Sequence, residues 1–546
     1  MEILAVIPAR GGSKGIPRKN VRLMAGKPLI YYAIYNAQKC ELVTDVVVTS
    51  DDEEIRRIAE GYDVYVLERN SELARDAVTL DPVIFDAVCQ MEQLKKKKYD
   101  VVITLQPTSP VLRMETLREA LREFIDTGKE TVISAVNKPH LTWSKNDDGF
   151  YPLYEERLNR QQLPPNYLET GAFLITKREF VTVESRMGNC VTLYEIPEEE
   201  SVDIDSAYDW IVCEKILNRK KIVFRADGYR AIGMGHIYHC LTLAHNLIGH
   251  NVMFVTKEGC ESGIKKIEES YLPLTIIKND NVFFEFLKDY QPDIIVNDCL
   301  DTSLEYMQKL KTLCGRVVSI EDMGSGAAYA DVVINSLYKE REYIYNQHIY
   351  SGENYICLRD EFIISNPKQF SPQVREVLVL FGGTDPSNLT ARIYSMARRM
   401  HLKYPEIHFT FLVGIGYDCK QHEIFSREDE NITIIRDTSF VSDYMKKADL
   451  AFTSQGRTVY EFAVMGVPAI VLAQNEREQL HTFAQMENGF MNLGLGSAVE
   501  IDTIDRTFEF LVNTPQMREE MRGLMLMHEQ QLKSGVQREI KLIMGE

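Results

Sequence analysis

Short apolar runs alternate with amphipathic helical stretches along the whole chain. That alternation predicts an α/β fold. A first series of runs reads ILAVIPA, DVVVTSDD, VYVLER, DVVITLQPTSP, TVISAV and GAFLIT, and closes at VDIDSAYDWIVCEKILNRKK, where an acidic extended segment leads into a helix. A second series begins at Ile222 with IVFRADG, NVMFVTK, LTIIK, DIIVNDC, RVVSIED and DVVINS. A looser stretch around Asn366–Val374 separates it from a third: EVLVLFGG, HFTFLVG, ITIIR, ADLAFTS and PAIVLA. The breaks near Lys220 and Gln369 predict three domains, 1–219, 220–368 and 369–546. The last two series read as a pair of similar Rossmann-type halves. Lys95–Lys98 reads as a solvated helix end and Glu198–Glu200 as a solvated loop.

Composition narrows the partners. With 26% charged and 45% hydrophobic residues the chain is an ordinary globular one. Its 62 Lys+Arg against 80 Asp+Glu leave a net charge of −18. Such a chain lacks the broad positive field that phosphate backbones and anionic membranes require, so neither nucleic acid nor membrane is an expected partner. No apolar run approaches a membrane span, and MEILAVIPARGG reads as a first strand rather than a signal peptide. The ten cysteines are scattered with no C-x-x-C pair, which predicts reduced thiols in a cytoplasmic protein and no zinc site.

The chemistry of the first series lies at its two ends. IPARGGSKGIPRKN follows the first strand directly. Backbone N–H groups at Gly11 and Gly12 can cradle phosphates, Ser13 adds a donor, and Arg10 and Lys19 can neutralise a triphosphate. The spacing fits neither a P-loop nor a dinucleotide fingerprint. The position does fit a ligand site, because α/β sheets bind ligands beyond the carboxyl ends of their strands. At the far end, Asp203 and Asp205 stand two apart, so in an extended segment both carboxylates project the same way. Two such carboxylates beside phosphates suit Mg2+.

These stretches, with TSDDEEI, LARD, LQPTSP, RQQLPPNYLETGAF and VDIDSAYD, resemble the cytidylyltransferases that activate nonulosonic acids, the sialic acid family. The resemblance covers nearly all of residues 1–215 and implies a Rossmann-like nucleotidyltransferase domain. It implies that Arg10, Ser13, Lys19 and Asn20 hold CTP, and that Gln106 contacts the sugar acid, with Arg160 a further substrate contact. It also implies that Asp203 and Asp205 bind the catalytic Mg2+. The reaction implied is attack of the sugar's anomeric hydroxyl on the α-phosphorus of CTP, with release of pyrophosphate. Relatives of this kind are commonly dimers, which implies a homodimer. Where many sialate enzymes read E-N-G this chain has Glu169-Thr170-Gly171, and where pseudaminate relatives read G-Q-F-Y it has Gly171-Ala172-Phe173. The acid is therefore expected to be of sialic, legionaminic or pseudaminic type.

In the remaining chain, FRADGYRAIGMGHIYHCLTLAHNL reads as strand, glycine loop and helix. Gly233 and Gly235 permit a tight turn, and the helix start beyond them attracts pyrophosphate oxygens. His236 stands at that mouth as the candidate base. Asp227 is either a backup base or a partner that orients the loop. The third series supplies a second glycine turn at Gly382 and Gly383, and a helix opened by Gly456-Arg457-Thr458 with Glu461 one turn inside. A carboxylate there can accept both ribose hydroxyls. Asn475 and Glu476 follow the next strand and are candidates for reading sugar hydroxyls.

Two Rossmann-type halves facing across a cleft describe the GT-B architecture. Within it, RAD…IGMGH, DIIVNDC, SIEDMG, CLRDEF, LFGGTDPSN and the GRTVYEF/QNEREQ pair resemble the UDP-2,4-diacetamido-2,4,6-trideoxy-β-L-altropyranose hydrolases and related spore-coat polysaccharide proteins. The resemblance implies that His236 activates water and that Glu461 contacts the nucleotide. His239 stands where an Arg is common and Glu476 where a Gln is common, both on the expected cleft wall. The two resemblances together imply a fusion of two non-consecutive steps of nonulosonic acid biosynthesis. One part takes CTP and a nonulosonic acid, the other a UDP-sugar. GT-B folds host transferases as readily as hydrolases. The alternatives for the carboxyl-terminal part are therefore a glycosyltransferase or a nucleotide-sugar-binding module.

Overall fold

Every residue of the strand Ile3–Pro8 is buried, as a run of apolar positions covered on both sheet faces must be. In this computed structural model it lies near the middle of a seven-stranded sheet. The structure describes residues 1–546 except 13–14, 76, 230–232, 339–347, 415, 418–429, 437 and 439. The described chain divides into two compact units, Met1–Arg219 and Lys220–Glu546.

The sheet of the first unit runs, among the described residues, in the order Val191–Glu195, Thr131–Asn137, Tyr167–Lys177, Val101–Leu105, Ile3–Pro8, Asp45–Ser50, Tyr65–Glu68. All neighbours are parallel except Tyr167–Lys177, which is antiparallel to both of its partners. That strand slips register between Glu169 and Leu174, and Gly171 sits in the irregularity with φ +71°. A positive φ is where glycine is favoured and a bulge re-aims the chain. Helices Leu29–Lys39 and Leu80–Lys95 cover the sheet with their apolar stripes.

Glu198–Glu200 corrects the expectation of a solvated loop. Glu200 is buried and accepts from the Arg113 backbone N–H and the Thr116 hydroxyl, closing the start of helix Met114–Thr127. The first four N–H groups of a helix lack partners within it, and a remote carboxylate supplies one here.

The second unit holds two further sheets whose strand pairs are all parallel. One runs Leu274–Ile277, Asn251–Lys257, Lys221–Ala226, Ile294–Asp298, Arg316–Ile320, Val332–Asn335, Ile349–Ser351 among the described residues. The other runs Ile432–Arg436, His408–Val413, Glu376–Leu380, Leu450–Thr453, Ala469–Ala473, Phe490–Leu495. This is the GT-B-like pair of Rossmann-type halves. Residues 369–546 do not all pack in one half. The helix Gly535–Met544 returns to the first sheet, where Val536 and Ile543 are buried with Ile222, Phe224 and Val296. No helix among the described residues is long and apolar enough to cross a membrane.

Candidate functional site

In the first unit the strand Ile3–Pro8 delivers the basic glycine turn to the carboxyl edge of the sheet. The Gly11 N–H donates to Asp51 Oδ1 at 3.3 Å. A Cβ on Gly11 would come within 2.6 Å of Asp52 Oδ2, so the turn lies tight against the end of the neighbouring strand, whereas one on Gly12 would meet nothing. Asn20 is buried and donates to the Arg10 carbonyl at 2.9 Å; it braces the turn from beneath. Ser13 lies outside the described residues.

The aspartate pair closes on this turn. Lys19 Nζ donates to the Ile204 carbonyl at 2.5 Å, between the two aspartates in sequence. A Cβ on Gly15 would stand 2.5 Å from the Asp205 carbonyl oxygen. Burial lowers the Lys19 ammonium, and Asp205 and Asp203 pull it back up. Ile204 points into the core at 0% exposure, which leaves the carboxylates on either side to project away from it. Burial pushes the Asp203 carboxyl up and Asp205 adds to the shift. Asp203 Oδ1 is buried with no hydrogen-bond partner among the described residues. An orphaned buried carboxylate oxygen beside a second carboxylate is what a hard divalent cation would satisfy, so the residues present fit Mg2+.

Gln106 and the strand irregularity complete this site. A Cβ on Gly171 would lie 3.0 Å from Gln106 Nε2 and 3.6 Å from Asp203 Oδ2. Three segments far apart in sequence thus converge at one point. Arg160 is exposed in the short turn Arg160–Gln162, and its ion pair is with Glu198 at 3.8 Å. Sequence reasoning missed Arg69. It is buried just past the strand Tyr65–Glu68, donates to the Thr49 carbonyl at 2.6 Å, and has an orphaned Nε. Burial lowers its guanidinium, and Asp51 and Arg10 lie close enough to act on it. Its signal was an arginine at the carboxyl end of a strand.

In the second unit, residues of both halves line one cleft of about 380 Å³. His236 is the second residue of the helix Gly235–His245, and the loop before it turns at Gly233 with φ +80°. His236 Nδ1 lies 2.5 Å from Asp298 Oδ1. Asp298 ends the adjacent parallel strand Ile294–Asp298 and is fully buried. Burial alone would raise its carboxyl; His236 and His239 outweigh it and hold it far below the ordinary range. A carboxylate on Nδ1 fixes the tautomer and leaves Nε2 as the acceptor.

Asp227, expected as a backup base or a loop-orienting partner, is not a base. Arg225 Nη1 and Nη2 donate to its two oxygens at 2.7 and 2.9 Å, and the Lys257 N–H and Thr256 hydroxyl add to Oδ1. Burial would raise it, but Arg225 keeps it ionised and fully engaged. His239 lines the cleft as expected, but its side chain is 0% exposed and held between Asp298 and Glu539, so both ring nitrogens are engaged within the protein.

The other half contributes the glycine turn at Gly382, with φ +78°, and Gly383, together with the Gly456-Arg457-Thr458 helix start. Gly414 packs backbone to backbone on Gly383; a Cβ there would stand 2.5 Å from Gly383 Cα. Glu461 lines the cleft, but Arg359 Nε already donates to its Oε1 at 3.0 Å. Burial pushes the Glu461 carboxyl up against that pairing. Asn475 is exposed at the cleft wall, where its Oδ1 accepts from the Glu478 N–H at 3.0 Å. Glu476 is exposed and is not among the lining residues. Its two successors line the cleft instead. Arg477 spans the halves, donating to both Asp301 oxygens at 2.9 and 3.0 Å and to the Glu321 carbonyl at 3.1 Å. Glu478 turns inward, and burial pushes its carboxyl up to about 7. Arg457 pairs with Glu321 at 3.2 Å and keeps a buried Nη1 without a partner among the described residues.

The first site sets a basic glycine turn against an aspartate pair at the edge of a Rossmann-like sheet, the arrangement of a nucleotidyltransferase. Comparison with known proteins makes this specific. Residues 4–148 match the family model described as Cytidylyltransferase, and residues 377–523 match that of the Glycosyltransferase family 28 C-terminal domain. CMP-N,N'-diacetyllegionaminic acid synthase of Legionella pneumophila is 33% identical over 236 residues, 41% of this chain and 100% of that protein. The chain belongs to the cytidylyltransferase family. N-acylneuraminate cytidylyltransferase A of Danio rerio is 33% identical over 220 residues, 39% of this chain and 50% of the relative. The spore coat polysaccharide biosynthesis protein SpsG of Bacillus subtilis is 27% identical over 293 residues, 51% of this chain and 85% of the relative. The chain spans about half the length of several curated relatives it matches.

Proposed function

We propose that the first unit transfers CMP from CTP to a nonulosonic acid and that the second unit splits a UDP-linked diacetamido-trideoxyhexose into free sugar and UDP. The observation that carries the first assignment is the 2.5 Å contact between Lys19 Nζ and the Ile204 carbonyl, which joins the basic turn to the aspartate pair. Arg10 and Lys19 would take the phosphates, and Gln106 with Gly171 would face the acid sugar. The anomeric hydroxyl attacks the α-phosphorus, the α–β phosphate bond breaks, and pyrophosphate leaves. Asp203 and Asp205 would hold Mg2+, which supplies charge neutralisation for the triphosphate. Relatives named for N-acylneuraminate and N,N'-diacetyllegionaminic acid support a substrate of that class. The test is a CTP assay across N-acetylneuraminic, legionaminic and pseudaminic acids, with mass detection of the CMP product. A chelator abolishes turnover and added Mg2+ restores it; no CMP-sugar from any of the three acids overturns the reading.

In the second unit the His236–Asp298 pair supports base catalysis. His236 Nε2 takes a proton from water as the water oxygen attacks the anomeric carbon, and the bond to UDP breaks with its electron pair on the leaving phosphate. The match to the glycosyltransferase family 28 domain favours a second reading, in which an acceptor hydroxyl replaces water. Incubation with the UDP-sugar separates them. UDP released in buffer alone supports hydrolysis, release only with an added acceptor supports transfer, and no turnover leaves a binding module.

A further inference from the structure

The helix Gly535–Met544 packs its apolar face on the sheet of residues 221–351, and Arg316 clamps its last turn through the Leu542 and Ile543 carbonyls. On that buried face stands a carboxylate, Glu539, at 0% exposure. A buried charge is costly unless it is paired and hydrogen-bonded. Both Glu539 oxygens face His239 Nε2, at 2.9 and 3.2 Å. On the other side of the ring, His239 Nδ1 faces Asp298 Oδ2 at 3.2 Å, and Asp298 Oδ1 faces His236 Nδ1 at 2.5 Å. Four side chains thus form an unbroken string from the last helix to the cleft.

Two proton counts satisfy the string: an ionised Glu539 facing an imidazolium, or a protonated Glu539 donating to a neutral ring. Glu539 and Asp298 raise the imidazole well above its ordinary value, which selects the first. His239 is an imidazolium between two anions. Asp298 then has one oxygen occupied by a cation and the other free to receive the His236 Nδ1–H. We infer that Glu539 is a positioning residue for the reaction of the second unit: through a cationic His239 it fixes Asp298, and through Asp298 it presents His236 Nε2 to the cleft as a bare acceptor. This rests on the reading of His236 as the base. The groups around His239 are Asp298 from the adjacent strand, Glu321 just past the strand Arg316–Ile320, Glu539 from the helix Gly535–Met544, Cys357 from the connecting segment and Arg457 from the opposite half, while Cys240 on its own helix donates to the same Asp298 oxygen at 3.6 Å. Burial and Arg457 oppose its charge; Glu539 and Asp298 prevail, and the imidazole is raised well above its ordinary value.

Glu539→Gln tests the inference, because its amide keeps the shape and one hydrogen bond to His239. Without the anion His239 loses its proton, and Asp298 loses its nearest cation. The field at His236 becomes more negative. The acidic limb of kcat/KM for UDP release then moves up by about one pH unit, with KM and the melting temperature near wild type. Glu539→Asp keeps the charge and returns the limb to its wild-type position. Ring-nitrogen NMR of histidine-labelled protein reads the same change without turnover: His239 is doubly protonated in wild type and singly protonated in Glu539→Gln. If Glu539→Gln unfolds, His239→Gln/Glu539→Gln leaves neither of the substituted sites charged and carries the same expected shift of the limb. An acidic limb unmoved in these variants overturns the role of Glu539. His236→Ala that still releases UDP at the wild-type rate overturns instead the assignment of the base.

Discussion

Gly171 shows how much one backbone angle decides in the first unit. Its φ of +71° lets the strand slip register, and its missing side chain lets Gln106 Nε2 and Asp203 Oδ2 approach. Gly171→Ala adds a methyl 3.0 Å from Gln106 and forces a left-handed angle on an L-residue. Strain of roughly 1–2 kcal/mol falls on the substrate side of the site, so KM for the acid sugar rises about tenfold while CTP binding holds. Steady-state kinetics with each substrate varied in turn checks this. Glu478 offers a second test. Its carboxyl is pushed from 4.5 up to about 7, so the folded state binds the extra proton in that interval. Its contribution falls as pH rises through the window. Glu478→Gln removes that loss. Melting temperatures at about pH 5 and about pH 8 therefore fall less with pH in the variant than in wild type. The carboxylates also mark where sequence reading succeeds. Asp203 and Asp205 are two apart, on either side of the buried Ile204, and their common direction was legible from period two alone. The partnership of His236 with Asp298 was not, because it depends on strand Ile294–Asp298 lying beside strand Lys221–Ala226.

Among elements, the helix Ala207–Leu217 couples folding to the first site. Ser206 caps it and Asp209 closes the reciprocal box, and Asp209 Oδ2 also accepts from the Asp205 N–H at 3.1 Å. The helix start therefore holds the backbone of a metal-binding candidate. Ser206→Ala costs about 1 kcal/mol of stability. The expected outcome is a melting transition lowered by a few degrees together with weaker Mg2+ dependence of CTP turnover; an unchanged metal titration separates the cap from the site. The helix and its acidic lead were legible in VDIDSAYD. The return of Gly535–Met544 to the other sheet was not. An amphipathic stripe states that a face is buried and not which sheet buries it.

For the whole molecule, the two candidate sites lie in separate compact units, Met1–Arg219 and Lys220–Glu546. Asp205→Asn should then abolish CMP-sugar formation and leave UDP release intact, and His236→Ala should do the reverse. Parallel assays on the two variants check this, and equal loss of both activities in either one refutes it. The division at residue 219 was legible because each series of strands restarts with its own glycine turn. The order of strands within each sheet was not, since apolar runs carry no record of their neighbours.

The string that ends at Glu539 also sets a timetable. His239 and Glu539 are 300 residues apart, so a chain made from its amino end meets the ribosome exit with the first unit already complete and the His239 pocket still lacking its far wall. During synthesis the residues that build the first site are all made early, whereas the pocket around His239 is walled only once the helix Gly535–Met544 has docked.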